Sequence, residues 1–215
     1  MSEMAFRFAL FDFDGVIADT EESNMEFLGK ALALHGVTLT DADRKRLIGV
    51  NDPELLKSIL SRSASPVTLE QFRKERKLLG NTYENGKLTT MPGLMPLLIR
   101  FREQGIPMAL VSSTSTYLLD AALERLGLTD FFRVVIGGDI VCRKKPDPEP
   151  YRTAMARLNA PPEDCVIFED SPVGIRAGKA AGGYVIAYRG GSIRQDVSQA
   201  DASLDDYFQF DSLNL

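Results

Sequence analysis

Phe8-Ala9-Leu10-Phe11-Asp12-Phe13-Asp14-Gly15-Val16 is the stretch whose reading decides the fold. A short apolar run that ends in two carboxylates spaced i, i+2 and then a glycine reads as a buried central strand of an α/β sheet. Open α/β sheets place their chemistry outside the C-terminal ends of their strands, so this strand delivers Asp12 and Asp14 to that edge. Residues i and i+2 of a strand point the same way, which puts both carboxylates on one face. Like charges held that close need a cation or a proton between them. Gly15 lets the backbone turn sharply and aim amide N–H groups at an anion. The stretch asks for a metal ion and an anionic ligand.

Downstream of Gly15 the pattern changes. From Asp19 to Gly86 the chain is helical, with no strand pattern. Met25, Leu28 and Leu32 share one helix face, and Gly36 is a natural stop. Leu55, Leu56, Ile59 and Leu60 form a second apolar face after Pro53. Thr68 with Gln71 matches a capping box ahead of Leu69, Phe72 and Leu79, and Ser61 to Pro66 is a polar linker. From about Met91 strands and helices alternate. Pro96 is tolerated only in a first turn, so the helix carrying Leu94, Leu97, Leu98 and Phe101 begins near Gly93. Strands are predicted at Pro107–Val111, Val134–Ile136, Cys165–Phe168 and Tyr184–Ala187, with a last edge strand at Ala202–Leu204. Tyr151, Ala154, Met155 and Leu158 mark one of the intervening helices; Ser171 and Pro172 open another. The order predicts an α/β fold, a doubly wound parallel sheet with an inserted helical cap. The expected division is a core of residues 1–17 and 88–215 and a cap of residues 18–87.

The chain has 215 residues and a formal net charge of −5, so no basic field favours nucleic acid or an anionic membrane. Cys142 and Cys165 are too few for a disulfide framework and fit a reducing, cytoplasmic compartment. Arg7, Asp12 and Asp14 interrupt the first apolar run, which is no signal peptide, and nothing approaches the ~20 apolar residues of a membrane span. His35, the single histidine, sits near a helix end and reads as a favourable terminal charge, leaving no material for a zinc site or a Ser-His-Asp triad.

Polar groups follow each predicted core strand: Asp12 and Asp14, then Ser112, then Lys145, then Glu169 with Asp170. This set suits phosphoryl transfer, where the protein mainly positions and neutralises charge. The carboxylates can hold a hard, oxygen-seeking cation, most plausibly Mg²⁺. Ser112 can donate to a phosphoryl oxygen, Lys145 can offset developing negative charge, and Asp12 can attack phosphorus.

The set resembles the haloacid dehalogenase superfamily of phosphotransferases. Its four motifs are matched by Asp12-Phe13-Asp14-Gly15-Val16, by Ser112 after Ala109-Leu110-Val111, by Lys145-Pro146, and by Phe168-Glu169-Asp170-Ser171-Pro172 with Gly174. The resemblance implies that Asp12 is the nucleophile and Asp14 the general acid/base. It implies that Mg²⁺ is bound by Asp12, Asp170 and the main-chain carbonyl of Asp14, with Glu169 assisting directly or through water. Ser112 and Lys145 would hold the transferring phosphoryl group, with Gly15, Val16 and Ser113 beside it. The cap is similar to that of the β-phosphoglucomutase-like and sugar-phosphate phosphatase branch, in Asp19-Thr20-Glu21, Leu47-Ile48-Gly49-Val50 and, more loosely, Glu75-Arg76-Lys77. Thr20, Asn24, Gly49, Asn51 and Lys77 are the cap positions implied to contact substrate. Asn24 stands where sugar mutases of this group carry a histidine, and Asp52 where they carry an arginine.

The expected function is a Mg²⁺-dependent phosphatase of a small phosphorylated metabolite, a sugar phosphate, acting as a monomer through an aspartyl phosphate. A sugar-phosphate mutase is the enzymatic alternative. A phospho-accepting receiver module is the non-enzymatic one, but it predicts no helical insertion and an acceptor aspartate on a later strand.

Overall fold

The computed structural model describes residues 6–47 and 52–213. The chain divides into two compact units, Met1–Asp19 with Thr89–Leu215, and Thr20–Leu88. Both crossings fall slightly later than the sequence pattern suggested. Ala18 bridges to both Asp14 and Thr90, and the Met91 amide donates to the Ile17 carbonyl at 2.9 Å, which ties these residues to the first unit.

The first unit is a parallel six-stranded sheet in the order β3-β2-β1-β4-β5-β6. The strands are β1 (Phe8–Phe11), β2 (Met108–Val111), β3 (Phe132–Ile136), β4 (Cys165–Glu169), β5 (Tyr184–Tyr188) and β6 (Ala202–Leu204). β1 is central, between β2 and β4, and all of its neighbours are parallel. Strand alternation divides its side chains between two apolar layers. Leu10 and its register partner Ile167 face a core built with Tyr151, Ala154 and Met155 of α7 (Glu149–Leu158) and Ile175 and Ala177 of α8 (Pro172–Ala181). Phe11 and its partner Phe168 stack at 4.6 Å between ring centroids. They join Phe101 of α5 (Leu94–Glu103) and, through Phe168, Tyr207 and Phe210 of a closing 3₁₀ segment, Tyr207–Leu213. A sheet covered on both faces explains why β1, β2 and β4 read as unbroken apolar runs.

α5 begins after Gly93, which has a φ of 76°. α6 (Thr116–Leu126) stops at Gly127. α6 takes its N-terminal cap from outside the helix: the Asp139 carboxylate accepts from the Thr116 amide at 2.7 Å and from its hydroxyl at 2.9 Å. Among the described residues no helix is long and apolar enough to cross a membrane.

The second unit holds α1 (Glu21–Ala33), α2 (Asp41–Leu47), α3 (Pro53–Leu60) and α4 (Leu69–Leu78). Leu28, Leu32, Leu55, Ile59 and Phe72 form its apolar centre. The Thr68–Gln71 capping box opens α4 as the sequence suggests. Sequence reading missed α2, although Thr40 and Asp43 carry its signal. The Thr40 hydroxyl accepts from the Asp43 amide at 3.1 Å, while the Asp43 carboxylate accepts from the Thr40 amide at 2.8 Å. His35 is not merely a helix-end charge; its Nε2 meets Glu75 of α4 at 2.6 Å.

The Thr40 amide and the guanidinium of Arg62, 2.7 Å away, hold the Asp43 carboxyl down at about 2, below its ordinary 3.8. A depressed carboxylate stabilises the fold above its unfolded value and loses that contribution as pH falls through its folded value. Asp43→Ala should therefore lower the melting temperature at neutral pH, with the gap to wild type closing between about pH 4 and pH 2. Thermal melts of both proteins across that range check this.

Candidate active site

Register sets the site. Phe11 pairs with Leu110 on one side and Phe168 on the other, so Asp12, Val111 and Glu169 come next along one sheet edge. Lys145, from the loop before α7, reaches across that edge. Its ammonium donates to Asp12 Oδ1 at 2.6 Å, to Glu169 Oε1 at 2.6 Å and to the Val111 carbonyl at 2.9 Å. Three N–H donors meet three acceptors, so the ammonium has no proton left to offer. The Lys145 side chain is 5% exposed and that of Glu169 is 0% exposed.

Glu169 is fully engaged. Its Oε1 also accepts from the Tyr151 hydroxyl at 2.6 Å, and its Oε2 accepts from the Asp170 amide at 3.2 Å and the Ser171 hydroxyl at 3.3 Å. Ser171 also caps α8, accepting from the Gly174 amide at 3.0 Å. A Cβ on Gly174 would occupy the space of the Glu169 carboxylate, so glycine is required there.

The turn after β1 closes on one carbonyl. Phe13 O accepts from Val16, Ile17 and Ala18 at 3.3, 2.8 and 3.2 Å, and the Gly15 amide donates to Ala18 O at 2.9 Å. The amides of Gly15 and Val16 are thus engaged inside the turn. The φ of Gly15 is 77°, and a Cβ there would collide with the Asp170 carboxylate. The Tyr207 hydroxyl fixes the turn from below, donating to Val16 O at 3.0 Å.

The same turn carries Asp14. β1 ends at Phe11, so Asp12 and Asp14 both lie beyond the strand. Asp14 Oδ2 accepts from the Thr114 hydroxyl at 3.3 Å. The carboxylates whose oxygens lie within 4.8 Å of one another are Asp12, Glu169 and Asp170. Ser112 is buried at the end of β2, and its Oγ accepts from the Thr114 amide at 3.1 Å. Ser113 is exposed, with its carbonyl against Gly138.

Burial, together with Glu169 and Asp14, pushes the Asp12 carboxyl up to about 7 against the opposing pull of Lys145. Burial and the charges of Asp12 and Glu169 push Asp170 up to about 8. Burial works against the Lys145 ammonium, but Asp12 and Glu169 outweigh it and hold it charged above its ordinary range. Burial and Glu169 push the Tyr151 phenol well above its ordinary value, so it stays a donor. The all-oxygen donor set suits a hard divalent cation. Glu169 is already saturated by protein donors, whereas the Asp170 carboxylate has only a long contact, 3.4 Å from Gln195 Nε2, among the described residues. Asp12 and Asp170 are thus the carboxylates best able to receive an ion.

Thr20, Asn24 and Lys77 belong to the second unit, and Gly49 and Asn51 lie outside the described residues. Thr20 is buried just before α1, Asn24 Oδ1 accepts from the Thr82 hydroxyl at 2.7 Å, and Lys77 is exposed on α4. Asp52 caps α3, accepting from the amides of Glu54 and Leu55 at 2.9 and 3.1 Å. Sequence reasoning missed Thr114, Tyr151, Gln195 and Tyr207 as parts of the site. Thr114 lies two residues from Ser112 and was within reach of the motif; the others carry no local signal.

A family model described as haloacid dehalogenase-like hydrolase matches residues 9–188. The chain belongs to that family. It is therefore a hydrolase by kinship as well as by the look of its site. The "Phosphorylated carbohydrates phosphatase" of Thermotoga maritima is 34% identical over 80% of each chain. The "Beta-phosphoglucomutase" of Bacillus subtilis is 33% identical over 82% of this chain and 80% of its own. The crystal structure of a putative β-phosphoglucomutase from Thermotoga maritima superposes with a TM-score of 0.82 at 30% identity, covering 97% of this chain and 98% of its own. The family's relatives thus include both hydrolysis and isomerisation.

The raised carboxyls give a pH prediction. A group whose folded pKa lies above its unfolded value stabilises the protein fully below the unfolded value and loses that contribution as pH rises through the folded one. Metal-free protein should lose melting temperature between about pH 4 and pH 8, the window set by Asp12 and Asp170. A cation that binds the ionised cluster acts oppositely, so the gain in melting temperature with added Mg²⁺ should grow across that window. Melts in chelator and in excess Mg²⁺ test both signs. Gly15→Ala should abolish the Mg²⁺ gain, because its Cβ displaces Asp170.

Proposed function

We propose that this protein is a Mg²⁺-dependent phosphatase that hydrolyses the phosphoric monoester of a small sugar phosphate through an aspartyl phosphate on Asp12. One observation carries the reading. A buried carboxylate, Asp12, is held at a strand end by a fully committed lysine, while a second carboxylate, Asp14, lies in the turn that follows and accepts from Thr114. That is the separation of roles that phosphomonoester hydrolysis needs, one group to attack and one to move protons.

In the first step Asp12, oriented by Lys145 on its Oδ1, attacks phosphorus with its other oxygen, and Asp14 gives its proton to the departing sugar oxygen. In the second step Asp14 takes a proton from water, which attacks phosphorus and releases phosphate and free Asp12. Ser112 accepts from the Thr114 amide, which leaves its own hydroxyl proton to donate to a phosphoryl oxygen. Lys145 acts through its charge, since all three of its protons are already bound. Mg²⁺, held by Asp12 and Asp170, would offset the charge of the cluster and of the phosphoryl oxygens. Thr20 just before α1, Asn24 in its first turn and Lys77 on α4 are proposed to select the sugar.

Hydrolysis is favoured over isomerisation by the cap residues. A mutase must hold the distal phosphate of a bisphosphate intermediate, for which a bidentate arginine is suited. Where the resemblance puts that arginine, this chain has Asp52, whose carboxylate caps α3, and Asn24 cannot exchange a proton. The Thermotoga maritima carbohydrate phosphatase supports the same substrate class. The receiver reading is set aside because of the helical unit Thr20–Leu88.

Incubation with a hexose 1-phosphate and Mg²⁺ should release inorganic phosphate and form no 6-phosphate isomer, as followed by phosphorus NMR. Isomer accumulating faster than free phosphate contradicts the reading. Asp12→Asn keeps the size of the side chain and should cut turnover by on the order of 10³-fold or more, with the fold intact by circular dichroism.

A further inference from the structure

We propose that Tyr151 is a positioning residue: it holds Glu169 and Lys145 so that the Lys145 ammonium stays on Asp12. The kinetic half of this inference rests on the phosphatase reading above; the structural half rests on geometry alone.

Tyr151 is 0% exposed, deep in the layer between the sheet and α7, where a phenylalanine would fill the same space. A buried hydroxyl is costly unless it is hydrogen-bonded. Here it is bonded, at 2.6 Å, to Glu169 Oε1, the same oxygen that accepts from Lys145. The Tyr151 ring also lies under the Lys145 ammonium, 4.9 Å from Nζ to the centroid. One side chain therefore touches both members of the pair that aligns the nucleophile.

The physical consequence is a balance of two attractions. Lys145 sits between two carboxylates at equal distances of 2.6 Å, Asp12 on one side and Glu169 on the other. In a site of low dielectric such bonds are strong, and each is sensitive to what else its acceptor holds. The Tyr151 hydroxyl draws off part of the Glu169 charge. Without it, Glu169 Oε1 keeps only the ammonium, binds it more tightly and draws it from Asp12. The nucleophile then loses the contact that fixes its orientation, although no group touching the substrate has changed.

Tyr151→Phe removes the hydroxyl and keeps the ring. Groups that support an active-site ligand in this way are worth about 10–100-fold in activity. In the full chain with saturating Mg²⁺, kcat on the sugar phosphate that wild type hydrolyses should fall by about tenfold or more, with KM within about twofold. The second readout is the ¹⁵N–¹H signal of the Lys145 ammonium in metal-free protein, assigned by its loss in Lys145→Arg. Three bonds should slow its proton exchange enough to make it visible in wild type, and Tyr151→Phe should shift or broaden it. A variant with a lower melting temperature but unchanged kcat and an unchanged ammonium signal has a merely structural tyrosine, which overturns the proposal. So does the absence of a protected ammonium signal in wild type. If wild type hydrolyses no sugar phosphate, the phosphatase reading fails, and the ammonium signal alone decides the role of Tyr151.

Discussion

Crowding of negative charge at one sheet edge is the constraint on which the rest of the structure depends. Asp12, Glu169 and Asp170 offer oxygens within 4.8 Å of one another, at the end of a sheet covered on both faces, with Lys145 among them. Such an arrangement is costly in isolation. The fold meets the cost unevenly. Glu169 receives donors from Lys145, Tyr151, Asp170 and Ser171 and is a settled ionic partner. Asp12 and Asp170 are left with carboxyls pushed up to about 7 and about 8. A divalent cation bound by this cluster would resolve what the protein leaves unresolved, at the residue we propose attacks phosphorus.

The scaffold serves that edge. Two apolar layers on β1 fix Leu10 and Phe11 from opposite sides, and the register with β2 and β4 then places Asp12 beside Val111 and Glu169. The Phe13–Ala18 turn takes up four amides and carries Asp14, which accepts from Thr114. Tyr207, distant in sequence, closes the underside of the turn. The two carboxylates to which we assign separate tasks follow one strand end, because β1 stops at Phe11 and the tight turn begins there.

The alternation of strands and helices was legible in the sequence, because buried parallel strands are apolar runs and the helices carry a clear start at Gly93 and clear stops at Gly105, Gly127 and Gly182. Asp12, Ser112, Lys145, Glu169 and Asp170 were legible because each follows such a run. What escaped were contacts that depend on distance in space. The sequence pattern extended strand alternation to Asp12 and Asp14, which lie beyond the end of β1 at Phe11. The acceptors of the Gly15 and Val16 amides, Ala18 O and Phe13 O, cannot be seen without the turn. Tyr151 was read only as a core position, since periodicity registers the ring and is blind to the hydroxyl. The helix-capping role of the Asp52 carboxylate was not read from the sequence.

The claim at the centre is that Asp12 accepts the phosphoryl group and needs a cation to do so. Turnover of a sugar phosphate quenched in acid, followed by peptide mapping by mass spectrometry, measures this directly. The account predicts one phosphoryl group on the peptide that carries Asp12, present with Mg²⁺ and lost in excess chelator. Steady phosphate release with the phosphoryl group on another residue, or with the same Asp12 adduct forming in chelator, would contradict it.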